Sequence, residues 1–184
     1  MSSDLMLVVF YGTGKGKTTA ALGTLFRFLG YDGSALVLQF MKDCSSGEYE
    51  LYRKLVRYGF KVKWYCLGTN EFVDPYDLGN EVASLVMAKS VGFLLHVFPD
   101  VFNELKPRLV LFDELGLAVH MSIIPTEIAL KTLTAFQGSS EYHAIVTGRY
   151  VPKELKEVAD LITKFSEVKH YFREGHVNIR GLDV

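Results

Sequence analysis

The stretch Gly12-Thr13-Gly14-Lys15-Gly16-Lys17-Thr18-Thr19 has the residue types that bind phosphate. Glycine lets backbone N–H groups turn towards an anion and lets phosphate oxygens come close. Lys17 supplies a mobile positive charge, and Thr18 supplies a hydroxyl suited to Mg²⁺. The usual phosphate-binding loop reads G-x-x-x-x-G-K-[ST]. Here Gly12, Gly16 and Lys17 make it one residue shorter, and Tyr11 stands where the first glycine belongs.

A second chemical feature lies far along the chain. Leu109–Glu114 reads LVLFDE, four apolar residues running into Asp113 and Glu114. Two acids at the end of a buried strand are costly unless the strand end is wet or holds a cation. In a phosphate-loop protein that strand lies beside the loop, and its acid holds Mg²⁺ directly or through water. Lys17, Thr18, Asp113 and Glu114 are therefore the candidate catalytic residues, with Thr18, Asp113 and Glu114 as the Mg²⁺ set. Residues 12–19 are the candidate nucleotide cradle. A plain glycine turn with solvated acids is the bland reading, and the agreement of motif and context weighs against it.

These residues need a strand before the loop and a helix after it. Leu5–Phe10 is a continuous apolar run, as expected of a strand buried on both faces. A helix from about Lys17 to Leu29 carries an apolar stripe at Ala21, Leu22, Leu25, Phe28 and Leu29, with Gly30 as its cap. Further strands are expected at Ser34–Phe40, Phe60–Cys66, Arg108–Glu114 and His143–Arg149, with Asp160–Phe165 finishing the fold. Helices are expected at Gly47–Gly59, at Asp77–Phe98, from Pro125 to about Phe136, and after Pro152. Strands alternating with helices predict a single α/β domain over residues 1–184, with a mainly parallel sheet in three layers.

Composition narrows the partners. The chain has 184 residues, 49% of them hydrophobic, with 20 basic and 21 acidic side chains and a net charge of −1. That balance provides no global positive field for nucleic acid. The start lacks a basic region and a cleavage signal, and the apolar patch Val91–Phe98 is too short to span a membrane. A cytoplasmic protein is expected. Cys44 and Cys66 have neither disulfide-framework nor metal spacing and read as two free thiols.

The motifs resemble the P-loop ATP:corrinoid adenosyltransferases. Gly12–Thr19 resembles that family's shortened loop, G-N-G-K-G-K-T-T. Ala20–Gly23 (AALG), Gln39–Lys42 (QFMK), Leu111–Leu115 (LFDEL), Val146–Arg149 (VTGR), Ala159–Thr163 (ADLIT) and Val168–Gly175 (VKHYFREG) match in order over nearly the whole chain. Departures are Gly116 for asparagine, Tyr171 for proline, Val62 and Lys63 before Trp64, and an altered end, GHVNIRGLDV.

The resemblance implies a P-loop, RecA-like fold. It implies attack of a Co(I) corrinoid on the 5′ carbon of ATP with Mg²⁺ present, so that triphosphate leaves. It also implies a homodimer, and raises an electron-donor protein that reduces the cobalt. It places Trp64, Arg149, Lys169 and His170 on the corrinoid side. Taken singly, Trp64 suits the core as well as a corrinoid face, and Arg149 suits phosphate as well as corrinoid side chains. His170 lacks a second metal ligand at any useful spacing and reads as a hydrogen-bonded histidine. Arg53 and Arg57 read as charged surface. A phosphotransferase would need an arginine-rich lid late in the chain, and none is visible. A nucleotide switch would leave the VTGR and VKH blocks unexplained.

Overall fold

The structure is a computed structural model that describes residues 6–31, 33–71, 73, 80–135, 142–177 and 179–182. Six parallel strands form one sheet: β1 Leu7–Tyr11, β2 Ala35–Gln39, β3 Val62–Cys66, β4 Leu109–Asp113, β5 His143–Gly148 and β6 Leu161–Lys164, in the order β3-β2-β4-β5-β1-β6. Every residue of β2 and β4 is buried, which is why both read as unbroken apolar runs. In β3, Val62 and Trp64 are buried while their neighbours are half-buried, as its alternation predicts.

Helices cover both faces. On one side α1 (Lys17–Leu29) buries Ala21, Leu22, Leu25 and Leu29 against Val37, Leu109, Leu111 and Ile145. Gly30 caps it in right-handed geometry. On the same side lies α2 (Gly47–Arg57), started by the Ser46 hydroxyl accepting the Tyr49 N–H. It has no fully buried residue and covers β3 through Tyr49, Tyr52 and Leu55. Arg53 pairs with Glu50 on its exposed face.

The other face carries α3 (Glu81–Gly92), a π turn at Phe93–Val97 and α4 (Phe98–Leu105), which run on as one helix. The Asn80 side chain caps its start by accepting the Ala83 N–H. The expected start at residues 77–79 lies outside the described residues. At 25 residues this helix is long and apolar enough to cross a membrane by length and composition alone. Its Ala83, Val86, Phe93, Phe98 and Phe102 pack into the core of this face. Short helices α5 (Leu115–His120), α6 (Thr126–Thr134) and α7 (Lys153–Glu157), with a 3₁₀ turn at Tyr171–Glu174, complete the described elements. The stretch 136–141, which includes the expected end of α6, also lies outside them.

One expectation is overturned. Cys44 and Cys66 are joined in a disulfide, with Cα atoms 5.6 Å apart. Parallel pairing sets Gln39 beside Cys66, and the chain leaving β2 carries Cys44 back over the end of β3. The 22-residue spacing says nothing of strands that become neighbours only in the sheet.

Candidate functional site

The carboxyl ends of β1, β2, β4 and β5 bring the site together, as expected where strands feed loops in an open α/β sheet. The loop after β1 closes against the exit of β6. The Gly14 N–H donates to the Phe165 carbonyl at 3.0 Å, and the Phe165 N–H donates to the Tyr11 carbonyl at 2.7 Å. A Cβ on Gly12 would overlap the Phe165 carbonyl oxygen, and one on Gly14 would lie 2.8 Å from Ser166 backbone. These two glycines are thus needed for protein packing rather than for approach by phosphate. The cleft of about 200 Å³ is lined by the loop's second half, Lys15–Thr19, with Lys42, Glu48 and Glu114 across from it.

Lys17 turns its ammonium onto the Gly14 carbonyl at 2.9 Å. Partial burial, reinforced by Arg149 and Lys42, pulls its pKa below the usual lysine range against the opposing pull of Glu114 and Asp113. Lys15 stands 5.8 Å from the Tyr171 ring centroid, a cation–π contact that ties the loop to the C-terminal segment.

Asp113 is fully buried and accepts four hydrogen bonds. Thr18 and Thr147 donate to Oδ1 at 2.8 and 2.7 Å, and Lys42 and Gln39 donate to Oδ2 at 2.8 and 3.1 Å. Burial alone would raise its pKa. The Lys42 charge and the bonds from Lys42, Thr147 and Thr18 outweigh burial and hold it below the ordinary value. Glu114 behaves oppositely: burial and the adjacent Asp113 charge raise its pKa. Its backbone sits in the left-handed region, φ 60°, with its N–H donating to the Thr147 hydroxyl at 2.8 Å. Its Oε2 is buried without a hydrogen-bond partner. An orphaned carboxylate oxygen beside a Thr–Asp pair fits a divalent cation or its bound water. The protein groups are two acids and a hydroxyl, the sparse set expected when phosphates complete the Mg²⁺ shell. No cluster of three or more acidic, histidine or cysteine ligands occurs among the described residues.

The four corrinoid-side candidates do not converge. Trp64 is 8% exposed on edge strand β3, covered by Tyr49 and Tyr52 of α2 with ring centroids 6.2 and 5.6 Å away. Arg149 is exposed just after β5 and its charge reaches Lys17. Lys169 and His170 lie beyond β6, at the opposite edge. Lys169 pairs with Glu174 at 2.7 Å. His170 Nδ1 accepts the Phe172 N–H at 3.1 Å and starts the 3₁₀ turn.

Sequence reasoning assigned no role to Gln39, Lys42, Thr147 or Glu48. For Gln39 and Thr147 the signal was a polar residue at the end of an apolar strand: Gln39 closes β2 and Thr147 precedes the end of β5. A larger hollow of about 420 Å³, between Leu29, Gly33 and the Tyr58–Lys61 turn, lies at the other ends of the strands and carries no acid.

Comparison with known proteins shows the family. The model of the ATP:corrinoid adenosyltransferase BtuR/CobO/CobP family matches residues 3–184. The chain is 31% identical to the corrinoid adenosyltransferase of Pseudomonas aeruginosa over 179 residues, 97% of this chain and 83% of that one. It is 30% identical to the corrinoid adenosyltransferase of a Sinorhizobium species, covering 97% and 79%, and 29% identical to corrinoid adenosyltransferase CobA of Salmonella typhimurium, covering 97% and 85%. Among solved structures, a KaiC-like protein from Pyrococcus horikoshii superposes with a TM-score of 0.53 at 15% identity, over 89% of this chain and 73% of that one, a likeness of fold.

Proposed function

The chain belongs to the ATP:corrinoid adenosyltransferase family, and from that premise we propose how its residues carry out ATP-dependent adenosylation of a corrinoid. The Co(I) electron pair forms a bond to the 5′ carbon of ATP. The carbon–oxygen bond breaks, and its electron pair leaves on triphosphate. Charge therefore grows on the phosphate chain and not on a transferred phosphoryl group.

The observation that carries this reading is the cleft that Lys15–Thr19 share with Lys42 and Glu114, with the Thr18 hydroxyl bonded to the buried Asp113 behind it. Lys17 and the backbone of residues 15–19 receive the triphosphate, where fixed dipoles and charge stabilise a leaving group as it forms. Thr18, Asp113 and Glu114 would hold Mg²⁺, which neutralises phosphate charge when bound. Arg149, exposed after β5 with its charge reaching Lys17, is the corrinoid-side residue beside this cleft, while Lys169 and His170 would act from the far edge beyond β6. Trp64 acts from beneath, because its ring is covered by Tyr49 and Tyr52.

Residues 1–184 form one catalytic domain that works as a homodimer in the cytoplasm and takes a corrinoid reduced by an electron-donor protein. In that compartment Cys44 and Cys66 exchange between dithiol and disulfide rather than forming a permanent cross-link.

The products test the reaction. Single turnover with Co(I) corrinoid, ATP and Mg²⁺ is expected to give adenosylated corrinoid and intact triphosphate in equal amounts. ADP formed in proportion to turnover, with no cobalt–carbon bond, overturns the reading.

A further inference from the structure

Lys42 stands where a cation is wanted. Its Nζ is 2.8 Å from Asp113 Oδ2 and 3.4 Å from Thr18 Oγ1, so one ammonium touches two of the three groups proposed for Mg²⁺. The carboxylate is fully buried while the Lys42 side chain is 35% exposed, so the lysine caps the acid from the cleft side. Lys17 does not share this position, since its ammonium rests on the loop's own Gly14 carbonyl.

The root of Lys42 is held firmly. The Phe40 N–H donates to the Asp113 carbonyl at 2.9 Å, and Met41 then turns the chain at φ 55°. The Gly68 N–H donates to the Lys42 carbonyl at 2.9 Å and ties the segment to the chain leaving β3. Only the side chain is free to swing, and the cleft it swings into is lined by Lys15–Thr19.

We propose that Lys42 is a built-in counterion that makes metal binding conditional on triphosphate: it holds Asp113 in the empty site, then yields that carboxylate to the divalent cation and moves onto a phosphate oxygen. The physical reason is charge. A divalent cation and an ammonium against one carboxylate repel each other, so the metal gains the acid only if the ammonium finds another anion. The triphosphate supplies that anion. Linkage then makes the coupling mutual, each ligand tightening the other. The proposal rests on the phosphate-and-metal reading of the cleft.

The test uses Mn²⁺ in place of Mg²⁺, followed by electron paramagnetic resonance, with inorganic triphosphate present or absent. In the wild type, triphosphate should tighten Mn²⁺ by at least about tenfold, within the usual span of coupling. In Lys42→Met, Mn²⁺ alone should bind about tenfold tighter than to the wild type, triphosphate without metal should bind more weakly, and most of the coupling should vanish. Lys42→Arg keeps the charge and should retain the coupling. Wild-type protein that binds Mn²⁺ equally with and without triphosphate overturns the proposal, whatever the variants do. So does a folded Lys42→Met protein with unchanged Mn²⁺ affinity. Triphosphate failing to bind the wild type at all would instead overturn the reading of the cleft.

Discussion

Trp64 donates its indole N–H to Gln39 Oε1 at 3.0 Å, and the same Gln39 amide donates to Asp113 Oδ2 at 3.1 Å. One buried side chain thus joins the protein's single tryptophan to the carboxylate at the centre of the site. Gln39→Met keeps the length and removes both bonds, leaving a buried indole N–H unpaired. A loss of about 1–3 kcal/mol is expected in urea unfolding. Trp64 emission should respond to triphosphate and Mg²⁺ in the wild type and not in Gln39→Met. Equal responses in both would disconnect Trp64 from the site.

Lys17→Ala should lower turnover by roughly 10²–10³, the scale for losing one preorganised electrostatic group. Circular dichroism should show an intact fold, since Lys17 bonds only to its own loop. A folded variant with wild-type turnover would remove Lys17 from the reaction.

Asp113→Asn and Glu114→Gln should part company in stability. Asp113 is stabilised as a charge by Lys42, Thr147 and Thr18, so its amide variant unfolds more easily. Burial and Asp113 oppose the Glu114 charge, so Glu114→Gln should be neutral or more stable by about 1 kcal/mol. Both should lose Mg²⁺-dependent turnover. If both retain the wild-type Mg²⁺ profile, the metal lies elsewhere.

The Cys44–Cys66 bond closes a loop that includes α2 and most of β3. Loop-closure entropy assigns such a cross-link about 3 kcal/mol. Urea midpoints should therefore fall when dithiothreitol is added to the wild type and stay put in the double variant Cys44→Ser with Cys66→Ser. Identical wild-type midpoints with and without reductant would show that the bond does not form in solution.

Burial pushes the Tyr142 hydroxyl up to about 12, while its hydroxyl donates to the Leu133 carbonyl at 3.0 Å. A raised folded pKa means this contribution is complete below pH 10 and is lost between about 10 and 12 as the unfolded phenol ionises. Solvent screening limits the loss to about 2 kcal/mol. Tyr142→Phe should be less stable at neutral pH and show a shallower alkaline decline. A decline as steep as the wild type's would assign the alkaline loss to other groups.

The sequence was enough to locate the chemistry. A glycine loop between an apolar run and an amphipathic helix, with two acids ending another apolar run, marks a candidate phosphate site, because each feature is local and costly to keep without a use. Local patterns likewise delimited five of the six strands, β1 to β5, to within two residues of their observed ends, while residues 160–165 were not read as the strand β6 that they form. What the sequence could not determine depends on which strands become neighbours. Cys44 meets Cys66 only because β2 pairs with β3. Gly12 and Gly14 owe their small size to Phe165 and Ser166, about 150 positions away, because β6 runs beside β1. Lys42, Gln39 and Thr147 reach Asp113 because β2 and β5 flank β4. The same order puts Trp64 and Lys169 at opposite edges of the sheet. Residue type and spacing name the groups that can bind phosphate and metal, while the strand order decides which of them share one carboxylate.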